Sequence, residues 1–222
     1  SFLGDVAYKL FALFYFENPN FQYWQPLTHM FMHGGLMHIL FNMYALWAFG
    51  SPLEQIWGRK KFLFFYFSAG LGAALIHTLV NYYQVQEGMN ALLNIGISQT
   101  EIMNMLNTGQ YNSGILESVS VDRIEALYAS FNTPAVGASG AIYGVLVAFG
   151  LMYPNAELML IFLPIPIKAK YFIPLIIIGD LFFGITGAST GVAHFAHIGG
   201  ALFGFIMAYY WKKNSFDSHR WN

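Results

Sequence analysis

The sequence predicts an all-α, polytopic membrane bundle, and three observations carry that prediction. Only 9% of the 222 residues are charged while 56% are hydrophobic, whereas soluble domains carry roughly 25% charged residues. So few charges do not coat a soluble surface of this size, but they suffice for the two polar ends of a bundle in lipid. Apolar stretches near the length of a bilayer crossing recur along the chain. Eight of the ten basic residues fall in segments that would share one side of the membrane. The absence of cysteine excludes a disulfide framework, a thiol nucleophile and a thiolate metal site. A net charge of −1 points to no nucleic-acid partner.

In chain order, Phe2–Phe16 is apolar but short and holds Gly4, Asp5 and Lys9. It reads as the end of a preceding span, or the link after one, and the chain as lacking that span. Gly35–Ile56 and Phe62–Tyr83 are the first two crossings. Gly137–Tyr153 is short and free of charge, Tyr171–Gly187 carries one acid, Asp180, and Val192–Trp211 is the last. None alternates as a strand does. Their Gly and Pro are tolerated because neighbouring helices satisfy the freed backbone groups. Arg59, Lys60 and Lys61, then Lys168 and Lys170, then Lys212, Lys213 and Arg220 mark the cytoplasmic side.

The other side receives 16–34, 84–136 and 188–191. The polar stretch Gln84–Val136 is expected as an external insertion within a single domain over 1–222. Ile102, Met105 and Leu106, then Ile124, Leu127 and Tyr128, recur at helical spacing. Two or three short amphipathic helices on the external membrane surface are predicted there, one entered at Ser120. The stretch is either a decoration or a platform for a substrate or partner.

Three motifs bear chemistry. In Gly137-Ala138-Ser139-Gly140 the serine opens a helix, where backbone N–H groups lack intrahelical acceptors and can donate to an oxyanion. Tyr143 follows one turn on, on the same face. The competing reading is a packing or capping serine. In Ala196-His197-Ile198-Gly199-Gly200 a histidine sits inside a span, where a polar group is expensive. Its competing reading is a histidine satisfied by a backbone carbonyl. Gly140, Gly144 and Ala148 match Gly200, Gly204 and Ala208 as small-residue stripes for close helix packing. Their helices run in the same direction, so Ser139 and His197 fall at similar depth, a nucleophile beside a base.

The third motif is His29-x3-His33-x4-His38-x3-Asn42. His38 and Asn42 are one helical turn apart at the depth of the serine, where their side chains can complete an oxyanion hole. His29 and His33 are expected to fix the preceding loop. Three histidines also suit zinc, but no carboxylate or cysteine joins them at ligand spacing, so neither metal nor cofactor is expected. Asp180 is expected to be hydrogen-bonded in a structural role rather than to gate, and Glu54 to tie helix ends. His194 shares a face with His197, but the Gly-Gly pair that follows His197 favours His197 as the base.

In order, Trp24-Gln25, the His29/His33/His38/Asn42 array, Glu54 before Gly58, and the serine and histidine motifs resemble the rhomboid family of intramembrane serine proteases, in its bacterial form. The resemblance covers Trp24 to about Tyr210. It implies a six-helix core, here without its first span, and a Ser139–His197 dyad with no third acid. It further implies that Tyr143 orients the histidine, that His38 and Asn42 stabilise the oxyanion, and that Gly137 opens the backbone beside the serine. The 16–34 loop would lie sideways in the outer leaflet. The Tyr171–Gly187 helix and the 188–191 loop would gate a wet site. Gln25, where arginine is frequent, would alter lipid contacts.

Substrates would be membrane proteins with helix-weakened transmembrane segments, cut near the external face. The setting would be a bacterial inner membrane, and the oligomeric state is left open. A catalytically silent binding or chaperone module on the same fold, and a transition-metal transporter using the histidines, are the rival readings.

Overall fold

The computed structural model describes residues 2–160, 163–186 and 191–218. The chain is predominantly helical. Its elements are α1 (Phe2–Phe11), α2 (Gln25–Thr28), α3 (Leu36–Ala45), α4 (Ser51–Trp57), α5 (Arg59–Asn94), α6 (Gln99–Thr108), α7 (Val121–Asn132), α8 (Ser139–Met152), β1 (Glu157–Leu160), β2 (Leu163–Lys168), α9 (Ala169–Thr186) and α10 (His194–Ser218). They divide into two compact units, Ser1–Gln25 with Thr78–Ala135, and Pro26–His77 with Val136–Asn222. Among the described residues, α5 and α9 are long and apolar enough to cross a membrane, and α8 is a shorter apolar helix.

The first unit has its own core: Val85, Met89 and Leu92 from α5, Ile102, Met105 and Leu106 from α6, and Ile124, Leu127 and Phe131 from α7, with Tyr15. This bears on two expectations. The helix of the second expected crossing runs past Tyr83. The helix continues to Asn94 because Val85, Met89 and Leu92 keep helical spacing and find partners. The amphipathic helices also exist, but their apolar faces are buried in this protein core instead of being spread on lipid. Tyr128, expected on the apolar face, is exposed.

Gly88 lets α5 and α7 approach, since a Cβ there would lie 2.9 Å from the Leu127 Cβ. Ser98 and Glu101 form a capping box at the start of α6. Ser120 does occupy the N-cap of α7.

The N-terminal stretch joins the first unit through a β-bridge between Leu13 and Ala135. Gln25 holds it. Its side chain is buried, accepts the Phe14 N–H at 3.2 Å, and donates to the carbonyls of Lys9 (3.1 Å) and Asn20 (2.8 Å). Trp24 donates its indole N–H to the Leu10 carbonyl. Gln25 is therefore a buried tie and not a lipid contact, because an amide offers both the donor and the acceptor that this turn needs.

In the second unit, α3 passes into α4 through a single π-helical turn, Leu46–Gly50, so the first expected crossing is one helical run. Core residues from α5, α8, α9 and α10, among them Phe65, Val145, Ile173 and Ala208, pack together with Met30 and Leu53. The expected small-residue stripes meet. A Cβ on Gly200 would overlap the Gly140 carbonyl, and one on Gly204 would overlap the Gly144 backbone. Between α8 and α9 the turn is not featureless. It holds the antiparallel hairpin β1–β2, with Glu157 paired to Lys168. Its apolar residues are too few for a helical crossing, and Pro164 and Pro166 disfavour a helix. Of the 188–191 loop, expected as a cap, residues 188–190 lie outside the described residues.

Candidate active site

Ser139 is the first residue of α8. Gly137, two residues earlier, has φ 119°, a conformation that L side chains rarely adopt. Its N–H donates to the backbone carbonyl of the buried His29 at 2.9 Å, which ties the residues ahead of the serine to the turn at His29.

His197 lies in the first turn of α10, and its Nε2 is 2.7 Å from the Ser139 Oγ. The rings of Tyr143 and His197 stack at 4.2 Å between centroids and 13° between planes. The other imidazole nitrogen, Nδ1, lies 3.2 Å from Asp180 Oδ1. An ionised carboxylate only accepts, so the His197 proton sits on Nδ1 and Nε2 presents its lone pair to the serine hydroxyl.

Asp180 is hydrogen-bonded, as expected, but sequence reasoning did not foresee its partners. The resemblance implied no third acid, yet α9 delivers this buried carboxylate to the far side of His197. Asp180 also meets His194 Nδ1 at 2.5 Å and is approached by the Tyr143 hydroxyl. The sequence signalled only that such partners were needed, not which they are. An acid inside an apolar helix demands partners, and the next helix offers two histidines three residues apart.

His38 and Asn42 project from α3 toward Gly137. A Cβ on Gly137 would sit 2.8 Å from His38 Nε2 and 3.7 Å from Asn42 Nδ2. The glycine thus keeps open a space that both side chains border. His38 Nδ1 accepts the Gly34 N–H at 3.2 Å, which places the His38 proton on Nε2. Asn42 Nδ2 is buried without a hydrogen-bond partner among the described residues. A buried unpaired donor costs about 1–3 kcal/mol, so an amide left unpaired beside an open space is a donor awaiting an acceptor.

His33 packs edge-on against His38, its burial pushing the imidazole below its ordinary value. Glu54 contributes its backbone carbonyl, which accepts the Gly58 N–H at 2.8 Å. Its carboxylate makes no hydrogen bond or ion pair among the described residues, so the expected side-chain tie between helix ends is absent.

Residues 20–214 match the Rhomboid domain family. The chain is 32% identical over 179 residues to the bovine presenilin-associated rhomboid-like protein, mitochondrial, covering 80% of this chain and 35% of that protein. It is 31% identical over 193 residues to the human protein of the same name, covering 84% and 39%. It is 27% identical over 196 residues to rhomboid protease AarA of Providencia stuartii, covering 84% and 55%. The chain spans between a third and just over half of these relatives' lengths. Two of the three carry mitochondrial names, which runs against the expectation of a bacterial inner membrane.

Proposed function

The chain belongs to the rhomboid family, whose members are membrane-embedded, and on that premise we propose that it is an intramembrane serine endopeptidase. One observation carries the reading. A serine hydroxyl on an imidazole lone pair, a carboxylate behind that imidazole, and two side-chain donors around an open backbone position converge on the N-terminal end of α8.

The Ser139 hydroxyl attacks the scissile carbonyl carbon while its proton passes to His197 Nε2. The imidazolium that forms is held by Asp180 on Nδ1 and by the Tyr143 ring on its face. The carbonyl oxygen, now negative, takes hydrogen bonds from Asn42 Nδ2, His38 Nε2 and the Ser139 backbone N–H, which has no intrahelical acceptor. His197 returns the proton to the leaving amine, and water attacks the acyl-serine in the second half.

A six-helix core is the architecture that best accommodates these groups at one depth. Substrates are transmembrane segments loose enough to unwind, cut near the external face. The test is cleavage of a model transmembrane substrate by the protein in liposomes, beside Ser139→Ala. The reading requires that Ser139→Ala abolish cleavage and block labelling by a serine-directed fluorophosphonate. Cleavage that survives the substitution would overturn it. A folded, lipid-inserted chain that neither cleaves nor labels points instead to a silent binding module.

A further inference from the structure

Asp180 faces two imidazoles, and only one of them touches the serine. Asp180, His194 and His197 each offer a ligand atom, these atoms all lie within 4.8 Å of one another, and the three residues are largely buried. Two histidines and a carboxylate make a competent ligand set for a zinc-class ion. With metal–ligand bonds of about 2.0–2.2 Å, tetrahedral ligand atoms stand about 3.3 Å apart. The Asp180–His197 separation of 3.2 Å already meets that value, and the Asp180–His194 pair at 2.5 Å needs to open by under an ångström.

The two histidines share one face of α10, being three residues apart. Phe183 of α9 stacks on His194 at 5.7 Å, holding that ring to the same helix that carries the carboxylate. A metal site at His29, His33 and His38 fails for want of a carboxylate, whereas this cluster includes one.

We propose that Asp180, His194 and His197 form an inhibitory site for a zinc-class divalent ion, with water completing the coordination. The inhibition, though not the binding, rests on the protease reading above. A metal on His197 Nδ1 takes that nitrogen's lone pair, and the proton it displaces moves to Nε2. Nε2 then meets the Ser139 hydroxyl as a donor and cannot accept its proton. Occupation of the site and action of His197 as a base exclude each other.

The experiment uses the full chain in detergent with zinc set by a metal buffer. Ser139→Ala, which keeps all three ligands, should bind one zinc per chain by metal analysis. Adding His194→Asn should weaken binding by about tenfold or more, with an unchanged unfolding temperature and monodispersity showing that the chain is still folded. His33→Ala should bind zinc as before. With Ser139 intact, zinc should stop cleavage and a chelator restore it, and His194→Asn should need about tenfold more zinc relative to its own zinc-free rate. No stoichiometric zinc in Ser139→Ala, undiminished binding with His194→Asn, or loss of binding in His33→Ala would overturn the proposal. Zinc held by these ligands in a chain that cleaves nothing would sink the protease reading and leave the ion site standing.

Discussion

In the proposed mechanism, Asn42 and Asp180 divide the chemistry between two sides of one serine. Asn42 Nδ2 has no hydrogen-bond partner among the described residues, so in the proposed mechanism its value is realised only when an oxyanion forms. Removing one such donor from a soluble serine protease costs about 10²–10³ in rate. Asn42→Ala should lower kcat on that scale with little change in KM, and should leave folding intact because no native hydrogen bond is lost. An unchanged kcat for a reconstituted transmembrane substrate would remove Asn42 from the oxyanion hole. In the same mechanism Asp180, 3.2 Å from His197 Nδ1, acts through that imidazole and is a positioning residue. Asp180→Asn replaces an acceptor by a group that can donate to Nδ1, which favours the tautomer with its proton on Nε2. The loss of kcat in a soluble triad is about 10⁴-fold, and here it should be smaller, about 10²-fold or more, since Tyr143 also holds the ring. If Asp180→Asn and wild type turn over equally, the carboxylate serves His194 alone.

At the scale of elements, the site depends on how closely α8 and α10 pack. Gly200 faces the Gly140 carbonyl with no room for a methyl group. Gly200→Ala should therefore destabilise by about 1–3 kcal/mol and lengthen the Ser139–His197 contact, lowering both the unfolding midpoint and kcat. A variant with wild-type stability and rate would show that the helices can part without cost. In α6, Ser98→Ala removes a cap worth about 0.5–2 kcal/mol, which amide exchange over the first turn would report. The Glu101 carboxyl is held below its ordinary value by the Ser98 hydroxyl and N–H. Its stabilisation is therefore present above the usual carboxylate range and fades as the pH falls through the depressed value. These two cases also show what was legible in the sequence. The Gly140/Gly144 and Gly200/Gly204 stripes could be read because a small-residue repeat has one physical use between helices in lipid. The continuation of α5 to Asn94 and the burial of α6 and α7 could not, because an amphipathic face looks the same whether lipid or protein covers it. The Asp180–His197 contact could not be read either, since periodicity gives the face of a helix and not its rotation against a neighbour.

Across the whole chain, the distribution of charge makes a claim that no single site makes. Arg59, Lys60 and Lys61 after the first crossing, Lys168 and Lys170 after the third, and Lys212 and Lys213 at the end of the last belong to one side of the membrane if the polytopic reading holds. Their local surroundings suit an interface. Lys61 lies over the Trp211 ring at 4.3 Å, Lys170 over the Tyr171 ring at 5.2 Å, and Lys212 donates to the Leu151 carbonyl at 2.7 Å, as amphipathic side chains do where a bilayer meets water. The helix α5, at 36 residues, is about 54 Å long against a hydrocarbon core of about 30 Å, so one crossing leaves many of its residues outside the membrane. The chain contains no cysteine, so single cysteines can be placed without background. In right-side-out vesicles, a membrane-impermeant maleimide should label Gly114→Cys at once. Lys60→Cys and Lys213→Cys, both exposed, should react only after permeabilisation. Immediate labelling of all three positions, or of the lysine pair alone, would overturn the orientation, and with it the inference that Ser139 opens toward the external side.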